Sequence, residues 1–213
     1  MKIAFFGESK SDDVVLKHLV EGVLEEKIEE KDVRKKTPFR SSSHLVKNLP
    51  VVIRSVYYSS DAEFLVIASD SDDYPVHIAQ HNENENEECH LCRLRKIVKK
   101  SLSQLDDMPE KEMLQVAIGV PVPAIEAWLL FGENPHVSEN TWIRKQNGEK
   151  IRYDRKRLKK ELYGGEHIPQ DRRIEISIKA IKRIVENNLL EGLENDFPQG
   201  FGNLANEIKT WKQ

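Results

Sequence analysis

The stretch EFLVIASDSDDYP, residues 63–75, decides how this chain is read. Apolar and small residues run to Ser69 and stop at Asp70, Ser71, Asp72 and Asp73. A short apolar run bounded by turn residues reads as a buried strand. In open α/β sheets, ligands gather beyond the carboxyl ends of strands. In extended backbone, residues two apart share a side, so Asp70 and Asp72 aim at one point, with Asp73 left as a loop residue. Clustered carboxylates repel and raise one another's pKa, and a hard divalent cation removes that penalty.

Working outward, KIAFF (residues 2–6) reads as a first strand, with Glu8 just past it across Gly7. A helix follows, with Ser11 as its N-cap and Asp12 and Asp13 in its first turn. Asp12 is within reach of the Glu8 site, or is simply an acid favoured at a helix start. The segment 31–50 reads as a long polar connection, and VVIRSVYY (51–58) as a strand. Residues 76–90 read as loop, 93–105 as helix and 113–120 as strand. PAIEAWLLFG (123–132) opens a helix with Pro123 near its start. Glu126 sits in an otherwise apolar stretch there. It is either a first-turn acid or a further cation ligand, and buried alone it would be costly.

Strands alternating with helices predict an α/β fold: a mainly parallel sheet flanked by helices, followed by a basic, helical C-terminal extension. A core over 1–133 and an extension over 134–213 are expected, either separate or packed as one. From Thr141 to Arg183 there are 14 Lys and Arg against 6 Asp and Glu, a local +8 that leaves −11 elsewhere in a chain of net −3. Such asymmetry suits a polyanionic partner, or belongs to solvated helix faces. No apolar run is long enough to span a bilayer. The N-terminus reads as a strand rather than a signal peptide. Two cysteines in 213 residues give no disulfide framework, so a cytoplasmic location is expected. No Walker loop or Gly-x-Ser-x-Gly element supports a P-loop enzyme or serine hydrolase.

Both cysteines fall in HIAQHNENENEECHLC, residues 77–92. His77, His81, Cys89 and Cys92 are a His-x₃-His pair followed by Cys-x₂-Cys. They form a set that tetrahedral Zn²⁺ accepts, with His90 able to replace one histidine. The alternative is ordinary loop histidines and reduced cysteines at a helix start.

Two elements in order, FFGESKSDDVVLKHLV (5–20) and LVIASDSDD (65–73), resemble the Toprim superfamily, and a third, AIEAWLLFGE (124–133), follows them. The spacing of Glu8 and Asp12 resembles the branch found in OLD-family nucleases. The third element resembles uncharacterised bacterial Toprim-like proteins, some from phage-defence loci. The resemblance implies phosphodiester hydrolysis in DNA or RNA with Mg²⁺ or Mn²⁺. Glu8, Asp70 and Asp72 would be catalytic and hold a first cation, and Asp12 and Glu126 would complete a second site. Arg144, Arg152, Arg155 and Lys156 would contact phosphates. The OLD branch also uses a late lysine, for which Lys179 is one choice. A partner protein of a defence system is a further expectation. The alternatives are a non-catalytic Toprim-like module that regulates a partner complex, and a zinc-stabilised interaction protein.

Overall fold

A computed structural model describes residues 1–32, 42–165 and 167–212. Strands β1 (Lys2–Phe6), β2 (Glu29–Lys31), β3 (Phe64–Ala68) and β4 (Gln115–Gly119) form one sheet in the order β2-β1-β3-β4. Every pair is parallel. The fold is therefore α/β with a parallel sheet flanked by helices, as the alternation of patterns predicts. Parallel strands are covered on both faces and read as continuous apolar runs. All five residues of β3, FLVIA, are buried.

Alternation along the strands deals their side chains to two cores. Ile3, Phe5, Phe64, Val66 and Ala117 face α1 (Lys10–Leu24), α5 (Ile125–Leu129) and the later helices. Ala4, Phe6, Leu65, Ile67 and Ile118 face α2 (Ser42–Ser59) and α4 (His90–Leu102). A short α3 (Gln80–Glu83) lies within the expected loop.

Residues 51–58 are not a strand. They complete α2, whose buried residues Leu45, Leu49, Val52, Ile53, Val56 and Tyr57 recur at helical spacing, while Val51 and Tyr58 point out. β-Branched content suggested a strand, but adjacent buried pairs suit a 3.6-residue period, not alternation. Pro50 lies inside this helix. The expected connection over 31–50 therefore contains the end of β2 and the first half of α2, and its residues 33–41 lie outside the described residues.

The N-cap of α1 is Ser9, not Ser11. The Asp12 carboxylate accepts from the Ser9 N–H at 2.7 Å, closing a capping box that Ser11 could not form with it. Gly7 is required by close approach, because a Cβ there would lie 2.6 Å from Asp12 Cβ. Asp13 accepts from the Gly7 N–H at 2.7 Å and fixes this strand-to-helix turn.

Beyond Asn134 the described chain is helical: α6 (Glu139–Gln146), α7 (Arg155–Tyr163), α8 (Gln170–Glu186), α9 (Leu190–Asp196), a π-helical turn Pro198–Gly202 and α10 (Asn203–Lys209). α8 packs along α1, and α10 packs on β4. Trp142, Leu158, Ile181, Phe197, Phe201 and Leu204 join the same apolar cluster as Ile3 and Phe5. Among the described residues, no helix is long and apolar enough to cross a membrane.

One buried acid ties this helical part together. Glu139 accepts from the N–H groups of Gln199 and Gly200, the latter at 2.9 Å, and burial pushes its pKa up to about 7. Glu139→Ala leaves those donors without this acceptor and is expected to cost about 3 kcal/mol in urea unfolding.

Candidate functional site

The sheet order places a topological switch between β1 and β3. From β1 the chain moves outward to β2, and from β3 it moves outward to β4. The crevice beyond the carboxyl ends of these two strands is where open α/β sheets bind ligands. Glu8 follows β1 and Asp70 follows β3, so neighbouring strands deliver both carboxylates there.

Glu8 Oε1 accepts from the Ser69 hydroxyl and from the Asp70 N–H, each at 3.0 Å. Asp70 Oδ1 accepts from the Ile125 N–H at 3.0 Å, at the start of α5. That bond brings the first turn of α5, and with it Glu126, to the same end of the sheet. Glu126 is 4% exposed, and its Oε2 is buried without a hydrogen-bond partner.

The electrostatics are those of crowded acids. Burial raises the Glu8 pKa to about 7, with Asp12 and Asp72 adding to the rise against the hydrogen bonds from Ser69 and Asp70. Burial, then the charges of Glu8, Glu126 and Asp12, holds Asp70 well above the usual carboxylate range, with Arg155 opposing. Burial also raises Glu126; Lys159 and Arg173 oppose this and Asp12 reinforces it. Asp12, engaged as the capping acid of α1, thus acts on all three by its charge.

Asp72 arrives differently from the extended-strand expectation. Its φ is 50°, in the left-handed region, where Asp is better tolerated than most residues. The segment is pinned by the Ser71 N–H on the Pro121 carbonyl at 2.8 Å and the Asp72 N–H on that of Pro123 at 3.1 Å. The two aspartates converge on Arg155, which donates to Asp70 Oδ2 at 3.3 Å and forms an ion pair with Asp72. Asp73 is exposed, as a loop residue should be.

Of the four cations expected to contact phosphate, Arg155 alone is seen in contact with these acids. Arg152 bonds His136 at 2.8 Å, Arg144 lies 3.8 Å from Glu149, and Lys156 is exposed. Lys179 is exposed on α8. Sequence reasoning missed Lys159 and Arg173, whose charges act on Glu126. Lys159 carried one usable signal: it stands four residues after Arg155 on α7 and therefore on the same face.

His77, His81, Cys89 and Cys92 do come together, with one ligand atom from each lying within 4.8 Å of all the others. This group could hold a metal ion. His77 Nδ1 lies 3.5 Å from Cys89 Sγ and 3.6 Å from Cys92 Sγ, while its Nε2 meets Asn82 Oδ1 at 3.0 Å. A ligating histidine is usually held in this way through its second nitrogen. His81 Nδ1 is buried without a partner. Burial lowers the His77 pKa and pushes the Cys89 thiol up to about 11. His90 is not in this group; it bonds Ser69 Oγ at 2.9 Å, and burial lowers its pKa to about 4. No protein-family model, curated protein or solved structure matches the chain, so the site is read from its own residues.

Proposed function

We propose that the acidic centre holds Mg²⁺ or Mn²⁺ and hydrolyses phosphodiester bonds in DNA or RNA. The observation that carries this reading is Glu126. Its Oε2 is buried and unbonded beside a sheet end where Glu8 and Asp70 are already pushed towards protonation. Oxygen donors in that state suit a hard divalent cation. When bound, such a cation polarises the phosphate, acidifies water and steadies the leaving oxygen. Glu8, Asp70 and Glu126 would hold it, with Asp12 and Asp72 adding negative charge. Ser69 orients Glu8, and the Asp70 N–H keeps that carboxylate in place. Arg155, Lys159 and Arg173 would face the substrate's phosphate oxygens, giving salt-sensitive and largely sequence-independent affinity. The resemblance to Toprim proteins supports the reading and suggests a cytoplasmic, phage-defence setting with a partner protein. The Cys₂His₂ group would take a structural Zn²⁺.

The test incubates the protein with plasmid DNA, single-stranded DNA and transfer RNA in Mg²⁺, Mn²⁺ or EDTA, beside Glu8→Ala and Asp70→Ala. Cleavage that requires metal and disappears in both variants is expected. Equal cleavage by wild type and variants would defeat the site assignment.

A second reading is favoured by Arg155, whose guanidinium already sits on Asp70 and Asp72. A permanent internal cation would make this a non-catalytic module that regulates a partner complex. Under the first reading Arg155 competes with the metal. Arg155→Gln is then expected to tighten Mn²⁺ binding about tenfold, a coupling of ordinary size between competing ligands. Calorimetric titration checks this, and an unchanged affinity favours the second reading.

A further inference from the structure

The two clusters meet at one turn of helix. Cys89 caps α4, Cys92 lies in its first turn, and His90 stands between them. The His90 ring turns to the other cluster. Its Nε2 lies 2.9 Å from Ser69 Oγ, and the Ser69 hydroxyl donates to Glu8 Oε1 at 3.0 Å. With the Ser69 proton committed to the carboxylate, the hydroxyl oxygen accepts from His90. That sets the tautomer with the proton on Nε2. Tyr74 stacks flat on the imidazole, ring centroids 5.0 Å apart and planes 10° apart. His90 and Ser69 are 2% and 1% exposed, so water does not compete for these bonds.

We propose that the Cys/His cluster, when it holds a metal, positions Glu8 through His90 and Ser69. The inference rests on the cation reading of the acidic centre. Ligation by Cys89 and Cys92 would fix the first turn of α4 and so hold the imidazole against Ser69. Both bonds to the Glu8 carboxylate fall on Oε1, so losing one frees it to turn. His90 and Ser69 are positioning residues here, and the two metal sites are coupled reciprocally, each tightening the other.

Mn²⁺ titration of the full chain, read by electron paramagnetic resonance without zinc and with one equivalent of zinc, tests this. Zinc is expected to tighten Mn²⁺ binding about tenfold in the wild type. That effect should vanish in His90→Leu and return in His90→Gln, whose amide N–H reaches where Nε2–H stood. Zinc-loaded Ser69→Ala should bind Mn²⁺ about tenfold more weakly with its zinc retained, as loss of an outer partner to a ligand does. Near-ultraviolet circular dichroism confirms that each form is folded. If zinc-free protein unfolds, the zinc-loaded variants decide: His90→Leu should bind Mn²⁺ about tenfold more weakly than the wild type, as Ser69→Ala does, and His90→Gln should not. Zinc acting equally in wild type and His90→Leu, or Ser69→Ala binding Mn²⁺ as the wild type does, overturns the proposal alone. A zinc-loaded wild type that binds no Mn²⁺ at the carboxylates overturns the acidic-centre reading as well.

Discussion

Asp70→Asn is expected to lower metal-dependent phosphodiester cleavage on the order of 10³-fold, because losing a ligand removes several kcal/mol of charge stabilisation. The same substitution should make the metal-free protein more stable at pH 8. Asp70 sits among Glu8, Glu126 and Asp12, and its burial disfavours the charged form. An amide retains an oxygen for the Ile125 N–H and brings no charge. Activity lost while melting temperature rises separates a cation ligand from a structural acid. A structural acid would lose both together.

The pH dependence follows from the same crowding. Glu8 has a folded pKa near 7 against an ordinary 4.5. A raised carboxyl binds its proton more tightly in the native state than in the unfolded one. The stability it contributes is fully present below about pH 4.5 and is lost as pH rises through about 7. Glu139, also raised to about 7, adds to the slope in the same window. Metal-free protein should therefore melt at lower temperature at pH 8 than at pH 5. Mg²⁺ should recover the Glu8 and Asp70 part, and Glu8→Gln should abolish that recovery. Glu139→Gln should leave it intact. Thermal melts across this range, with and without Mg²⁺, check both signs.

The second large effect belongs to the Cys/His cluster. A metal that binds only the native state at 1,000 times its Kd adds about 4 kcal/mol. For a chain of this size that corresponds to a shift of roughly 10 °C. One equivalent of Zn²⁺ should produce that shift, and Cys92→Ser should lose most of it. Zinc also reverses the local proton balance, because thiolate rather than thiol is the ligand, so proton release on binding is expected. Scanning calorimetry and elemental analysis of purified protein measure these outcomes. A fully folded protein that carries no zinc and does not respond to it would contradict the assignment.

What could be read without coordinates follows from how local each signal is. β1 and β3 were legible because parallel strands buried on both faces leave continuous apolar runs. Glu8 and Asp70 were legible because they break those runs at their carboxyl ends. The Cys/His set was legible because all four residues lie within 16 positions of one another. VVIRSVYY misled because β-branched residues favour strands, while its exposed and buried pairs carried the helical period. The seat of Arg155 on Asp70 was not legible, because 85 residues separate the two and nothing local shows that α7 returns across the sheet end. Ser69 and His90 were invisible as a pair. A hydroxyl and an imidazole are common, and only the packing of α4 beside β4 and α2, over the sheet, sets them 2.9 Å apart.

The most direct test of the acidic centre is the anomalous scattering of Mn²⁺ in crystals of the full chain soaked at saturating concentration. A manganese peak bonded to Glu8, Asp70 and Glu126, with Arg155 withdrawn from Asp70, is the predicted result. Carboxylates without manganese, and Arg155 still seated on Asp70 and Asp72, would contradict it.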